Sequence, residues 1–372
     1  MAMNEIKVPF VNLAAAYRND ALAIRAAIDE IGNSGQYILG TKVKNFEEEF
    51  AEYIGTKYAI GVANGSDALF LIMKALGIGP GDEVITQPNS FIASAWTIVA
   101  TGATPVFCEV DGTLGLDPEH LLKLITPRTK AVMPVHLTGN PTKIDAIQKV
   151  LAGTGIEVIE DAAQAVGAKF NGKRVGSFGI AAMFSLHPLK NLGVLGDGGV
   201  ITTDSEDMYA KIIKLRNHGL IDRDHCEIWG YNSRLDELQA AIGSIRLAKL
   251  DDNTSRVREI AGKYSAGLSD LVTLPKSYLG SEPVFHNYII HTENRDGLQS
   301  FLHGIGVETK IHYPVPIHLQ ECAENLGYKV GSFPISEYQS TNSLSLPIYP
   351  ELTDEQVENV ISGIKRFFKT GL

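Results

Sequence analysis

The sequence predicts an α/β fold: a mostly parallel sheet of seven strands flanked by helices, followed by a smaller α+β unit. Two observations carry this. From about residue 55 to 205, short runs rich in Val and Ile alternate with segments of helical periodicity. After about residue 235 the texture changes to long helices with a single strand pattern between them. The 372 residues are 44% hydrophobic and 20% charged, an ordinary globular composition with length enough for two domains.

The strand candidates, in chain order, are YAIGV (58–62), DEVITQ (82–87), TPVFCEV (104–110), KAVMPVHL (130–137), IEVIED (156–161), AAMFSL (181–186) and GVITT (199–203). Each is short and bounded by Gly, Pro or Asp. Between the first two, Leu69, Ile72, Met73 and Leu76 recur at i, i+3, i+4 and i+7, with Ser66 as the expected N-cap and Gly77 as the stop. Strand–helix alternation of this kind makes a sheet covered on both faces, with its active site at the carboxyl ends of the strands. Residues 235–268 read as one long helix, kinked if anywhere at Gly243. FHNYIIHT (285–292) reads as a strand, with helices at 295–306 and 353–371. The expected division is a large domain over 1–240, including an N-terminal helical segment, and a small C-terminal domain over 241–372.

The formal charge of −10 argues against a nucleic-acid partner, whose footprint would be basic. Cys108, Cys226 and Cys322 are scattered and form no CxxC pair, which argues against a disulfide framework or zinc ribbon and fits a reducing compartment. The opening MAMNEIKVPFVNL lacks the basic and apolar segments of a secretory leader, and no run approaches the roughly 18 apolar residues of a membrane span. The expectation is a cytoplasmic protein with no membrane or metal partner.

Four motifs carry chemistry. In FSLHPLKNLGVLGDGG (184–199) Lys190 lies in a Gly- and Pro-rich connection between two strands. Taken alone it reads as a solvated surface lysine; the competing reading is a partly desolvated amine, nucleophilic towards carbonyls. In IEVIEDAAQAVG (156–167) a strand delivers Asp161 at its carboxyl end, as a turn cap or as a buried carboxylate facing a cation, with Gln164 within reach. In GVANGSDAL (61–69) the turn before the helix either only caps it or presents bare N–H groups to an anion, with Gly65 allowing close approach. In PNSFIASAW (88–96) Phe91 is either core or a stacking face for a planar ring. One ligand satisfies all four functional readings. Pyridoxal 5′-phosphate has a phosphate, a flat ring, a pyridinium and an aldehyde that a lysine can capture.

The chain resembles the DegT/DnrJ/EryC1/StrS sugar aminotransferases, within the fold-type-I (aspartate aminotransferase-like) enzymes that use pyridoxal phosphate. The resemblance runs nearly the full length. It rests on PFVNL, GQYILG (35–40), NGSDAL, PGDEVI, EDAAQAVG, FSLHPLKNLGVLGDGG, GYNSRLDELQAA (230–241) and PVPIHLQ (314–320), in that order.

By position, it implies that Lys190 is the Schiff-base lysine and later proton shuttle. Asp161 becomes the partner of the pyridinium nitrogen, Gln164 the neighbour of the ring's phenolic oxygen and Phe91 the stacking residue. Gly65, Ser66 and Ser185 match the phosphate contacts. Asn232 matches a residue that reaches the neighbouring subunit's phosphate, implying a homodimer with shared active sites. Tyr313 and His318 fall where the family meets its sugar. His187 is left a supporting or packing role. Ser66 keeps the hydroxyl of the more usual Thr, whereas Asn89-Ser90 replaces a common Thr before the stacking residue. Lys190 stands where dehydratase relatives carry His, which favours transamination from L-glutamate to a keto-sugar of a nucleoside diphosphate. GDGG (196–199) tilts the expected position to C3 rather than C4, in amino-sugar biosynthesis for a polysaccharide or glycoside.

Two other classes fit the sequence less well. A nicotinamide dehydrogenase needs GxGxxG after its first strand, but GIGPGDEV (77–84) follows a helix and precedes a strand. A non-enzymatic relative would be expected to lose Lys190 or Asp161, and both are present.

Overall fold

In a computed structural model the protein is described over residues 6–370; residues 1–5, which begin the segment read above for a leader, lie outside it. All seven expected strands form: β1 (Tyr58–Val62), β2 (Glu83–Thr86), β3 (Thr104–Phe107), β4 (Thr129–Met133), β5 (Glu157–Asp161), β6 (Ala181–Ser185) and β7 (Gly199–Thr203). They make one sheet in the order β1-β7-β6-β5-β4-β2-β3. The pairings among β3, β2, β4, β5 and β6 are parallel, and β7 runs antiparallel to both its neighbours.

Because successive strand side chains point to opposite faces, β6 feeds two cores at once. Phe184 packs with Phe46, Phe50, Val200 and Ile242 on one face, under the helices Thr41–Ile54 and Glu237–Leu247. Met183 packs with Leu69, Ile72 and Ile201 on the other, under the helix Gly65–Ala75. The C-terminal part builds its own core from Tyr264, Tyr288, Leu298, Leu344, Val360 and Phe367, joined by Val8. It includes the antiparallel ladder of β8 (Tyr288–His291) and β9 (Ser343–Leu346). Among the described residues no helix is long and apolar enough to cross a membrane.

Two local expectations are corrected. The expected helix over 235–268 is two, Glu237–Leu247 and Leu250–Leu268, parting at Ala248–Lys249 and not at Gly243. At the break, Arg246 and Lys249 both turn onto Asp20 of the helix Leu13–Ser34, while Leu247 and Leu250 stay in the core. Gly243 serves helix packing: a Cβ there would stand 2.7 Å from the Phe46 ring. The second correction concerns the first βα helix. Its N-cap is Asn64, whose Oδ1 accepts the Asp67 N–H at 2.8 Å, and Ser66 lies one residue inside the helix. Gly77, at φ 74°, ends it as expected.

Candidate active site

The carboxyl ends of β5 and β6 lie side by side, and the connection from β6 to β7 folds over them. That connection closes on itself: Val194 N–H donates to Leu186 O at 2.8 Å and Lys190 N–H to His187 O at 2.8 Å. Gly199, where β7 begins, touches the first turn of the helix Gly65–Ala75; a Cβ there would lie 2.5 Å from the Asn64 carbonyl. Part of the GDGG run is thus required by backbone contact rather than by a ligand.

Asp161 ends β5 and is buried. Its Oδ2 accepts the Ser94 hydroxyl at 2.7 Å and its Oδ1 the Ala163 N–H at 3.2 Å. Burial nevertheless holds the carboxyl above its ordinary range, with these donors and the Lys190 charge acting against it. Lys190 is half-buried; its loop also lines a cleft of about 230 Å³ formed with residues 11–20, 246–257 and 348–351, a cleft that Asp161, Gln164, Phe91 and Tyr313 do not line. Removal of its amine from water lowers its pKa to about 8, with the Asp161 charge pulling the other way. A lysine so shifted is a free amine, hence a nucleophile, in about a tenth of molecules at pH 7, far more than an ordinary lysine.

Around this pair the structure gathers most of the expected residues. Gln164 is buried, takes the Thr138 N–H on Oε1 at 2.7 Å and donates from Nε2 to the Tyr313 hydroxyl at 3.3 Å. Burial and the Asp161 charge push the Tyr313 phenol up to about 12. The Phe91 ring lies 5.9 Å from that of Tyr313 and is 54% exposed, a face open to a planar partner. Gly65 and Ser185 are in contact, since a Cβ on Gly65 would sit 3.1 Å from the Ser185 Cβ. Ser66 is half-buried in the first helical turn, where backbone N–H groups have no intrahelical acceptor.

Two expected residues lie apart. Asn232 is exposed, in the segment that bridges back to Asn217. His318 is buried against Phe333 and joined to Glu337 at 3.1 Å, within an aromatic cluster. His187 is exposed, its Nδ1 accepting the Leu189 N–H at 3.3 Å. Ser94, within PNSFIASAW, carries no mark in the sequence of the carboxylate it meets, since a serine in a helix has none.

These residues fit pyridoxal phosphate. A buried, poorly satisfied carboxylate calls for a cation such as the ring's pyridinium. The bare backbone at Gly65, flanked by Ser66 and Ser185, suits a phosphate, and Lys190 suits an aldehyde. By fold and site this is an aminotransferase that works through that cofactor. More narrowly, the chain belongs to the DegT/DnrJ/EryC1/StrS aminotransferase family, whose profile matches residues 19–365. It is 44% identical over 362 residues to the dTDP-3-amino-3,6-dideoxy-alpha-D-galactopyranose transaminase of Aneurinibacillus thermoaerophilus, covering 97% of this chain and 99% of the relative. Among solved structures, DesV of S. venezuelae in complex with a ketimine intermediate superposes with a TM-score of 0.95 at 43% identity, covering 97% and 98% of the two chains. The Bacillus subtilis protein ntda, with bound cofactor PMP, superposes at 0.92 with 30% identity, covering 99% and 87%.

Proposed function

We propose that this enzyme takes the amino group of L-glutamate and delivers it to C3 of a keto-sugar carried on a nucleoside diphosphate, acting as a homodimer with shared sites. The amino sugar so made is destined for a polysaccharide or glycoside. The observation that carries the reading is the Lys190–Asp161 pair, a lysine brought to about 8 beside a buried carboxylate. When bound, the cofactor supplies an electron sink that stabilises negative charge next to the transferred nitrogen.

The chain's own residues do the rest. Asp161, steadied by Ser94, would hold the ring nitrogen protonated, and Phe91 and Gln164 would hold the ring in place. Gly65, Ser66 and Ser185 would hold the phosphate. Lys190 would take the proton from the donor's Cα and return one in the second half-reaction. Tyr313, beside the Phe91 ring and bonded to Gln164, would meet the acceptor. The half-exposed Phe91 and the exposed Asn232 are what a site completed by a second copy would leave open in one chain. GDGG at 196–199 and the 3-amino product in the name of the Aneurinibacillus relative support C3.

The test is a panel of 3-keto and 4-keto nucleotide sugars offered with glutamate to the purified, cofactor-loaded enzyme. Turnover of 3-keto substrates is expected. Turnover of 4-keto substrates alone would overturn the C3 assignment, and reaction with glutamate but with no nucleotide sugar would overturn the acceptor class.

A further inference from the structure

Asn89 and Ser90, which stand beside the stacking residue Phe91, have no part in the proposed reaction. They lie in the segment 87–92 between β2 and the helix Ala93–Thr101. The Asn89 side chain is buried and fastened from three directions. Its Oδ1 accepts the Gln87 amide at 2.7 Å, and its Nδ2 donates to Leu114 O and to Gln339 Oε1, each at 3.1 Å. Gln339 belongs to the helix Pro334–Asn342 of the C-terminal part, so distant stretches of the chain together fix the residue before Ser90. Asn89 is thus spent on holding the segment.

Ser90 turns towards the site. Its hydroxyl lies 2.8 Å from that of Ser94, one helical turn on, and Ser94 in turn donates to Asp161 Oδ2 at 2.7 Å. All three side chains are buried. The direction of the first bond follows from counting hydrogens. A serine hydroxyl has one to give, and an ionised carboxylate has none. With Asp161 ionised, the Ser94 hydrogen goes to the carboxylate, so Ser90 is the donor and Ser94 Oγ the acceptor. A hydroxyl that accepts a hydrogen bond in this way donates a stronger one.

We propose that Ser90 is a positioning residue whose hydroxyl, acting through Ser94, favours the ionised Asp161 that the cofactor's pyridinium requires. Hydrogen bonds donated to the charged form of a carboxyl favour that form. Against its burial Asp161 has only the Ser94 and Ala163 donors, with Lys190 and His136 as the charges that bear on it and the Tyr313 phenol as a further titratable neighbour. With so few donors, a second hydroxyl behind the first counts. No covalent bond changes, and neither serine gives up its proton. The inference rests on Asp161 as the cofactor's partner in the proposed reaction, but not on glutamate, the sugar or the homodimer.

The test titrates the stripped protein with pyridoxal phosphate across the range from acid to alkaline pH, followed by visible absorbance. It compares wild type, Ser90→Val, Ser90→Thr, Ser94→Ala and the double variant Ser90→Val/Ser94→Ala. Val and Thr share a shape and differ in the hydroxyl; Ser90→Ala replaces Ser90→Val if the branched side chain prevents folding. At acid pH, where Asp161 must lose a proton to receive the pyridinium, Ser90→Val is expected to bind about 3-fold more weakly, and the gap to close as pH rises. The acid limb of its affinity profile thus moves to higher pH, while the limb set by Lys190, at about 8, stays in place. Ser90→Thr should follow wild type. In the Ser94→Ala background, loss of the Ser90 hydroxyl should cost nothing further, because it acts only through Ser94. No loss in Ser90→Val, a loss equal at every pH, a Ser90→Thr as weak as Ser90→Val, or additive losses in the double variant would each overturn the proposal. No substrate enters this titration, so it judges Ser90 whatever the sugar panel decides about the reaction.

Discussion

Glu160 and Asp161 are consecutive, both buried, and opposite in kind. The period of two along β5 sends them to different faces of the sheet. Glu160 is saturated. Its oxygens accept the N–H groups of Gly176, Phe178 and Gly179 at 2.7–2.8 Å and pair with His136 Nε2 at 3.2 Å. Burial alone would raise its pKa; the His136 contact and the backbone donors outweigh that and hold it below the carboxylate range. Asp161 has one hydroxyl and one N–H, too little to offset burial, so its carboxyl is raised. The same chemical group is a structural staple where its donors are complete and a ligand site where they are not.

Substitutions break this comparison in graded steps. The largest effect belongs to the partner of Asp161: Lys190→Ala is expected to lose at least about 10³-fold in turnover, read as 2-oxoglutarate formed, with normal urea unfolding. Persistent full turnover would end the assignment.

Next come the two carboxylates themselves. Glu160→Gln strands donors that a carboxylate had satisfied and should cost about 3 kcal/mol of stability in urea. Asp161→Asn relieves an unfavourable burial, so unfolding free energy should hold or rise while kcat/KM falls by roughly 10²-fold. Matching stability losses in both would erase the distinction.

The pH dependence of stability sharpens the same contrast. Glu160 binds protons less readily folded than unfolded. Its stabilisation is therefore present above the unfolded Glu value of about 4.3 and is lost as pH falls through the folded one. For Asp161 the sign reverses: stability declines as pH rises from the unfolded Asp value of about 3.9 through its raised folded value. Unfolding free energies measured from pH 3 to 7 should thus show Glu160→Gln flattening the acid loss and Asp161→Asn deepening the apparent rise with pH. The smallest effects lie around the pair. Ser94→Ala should weaken cofactor binding by about 10-fold, the worth of one hydrogen bond to a charged group. The rate at which stripped protein takes up pyridoxal phosphate should climb with pH around a lysine midpoint near 8, moving lower in Asp161→Asn, where the supporting charge is gone.

Much of the scaffold was legible because periodicity and turn residues are local signals. The seven strands follow from apolar runs cut by Gly, Pro and Asp, and from them the parallel arrangement and the strand ends that build the site. Reading failed where a distant partner decided. An unbroken helical pattern runs through Ala248–Lys249, and only Asp20, more than two hundred residues away, shows why the chain parts there. Asn64 and Ser66 are both acceptable caps, and the geometry at the end of β1 selected the first.

The sequence by itself determined the order of elements, the family to which the chain belongs and the chemical types at the site, since these are written in residue identities and short spacings. Only the tertiary structure decided what each buried polar group is for. Whether a carboxylate is saturated like Glu160 or wanting like Asp161 depends on donors supplied by other elements. Hydrogen bonding and desolvation act over a few ångströms of space, and the residues that meet there are tens to hundreds apart along the chain.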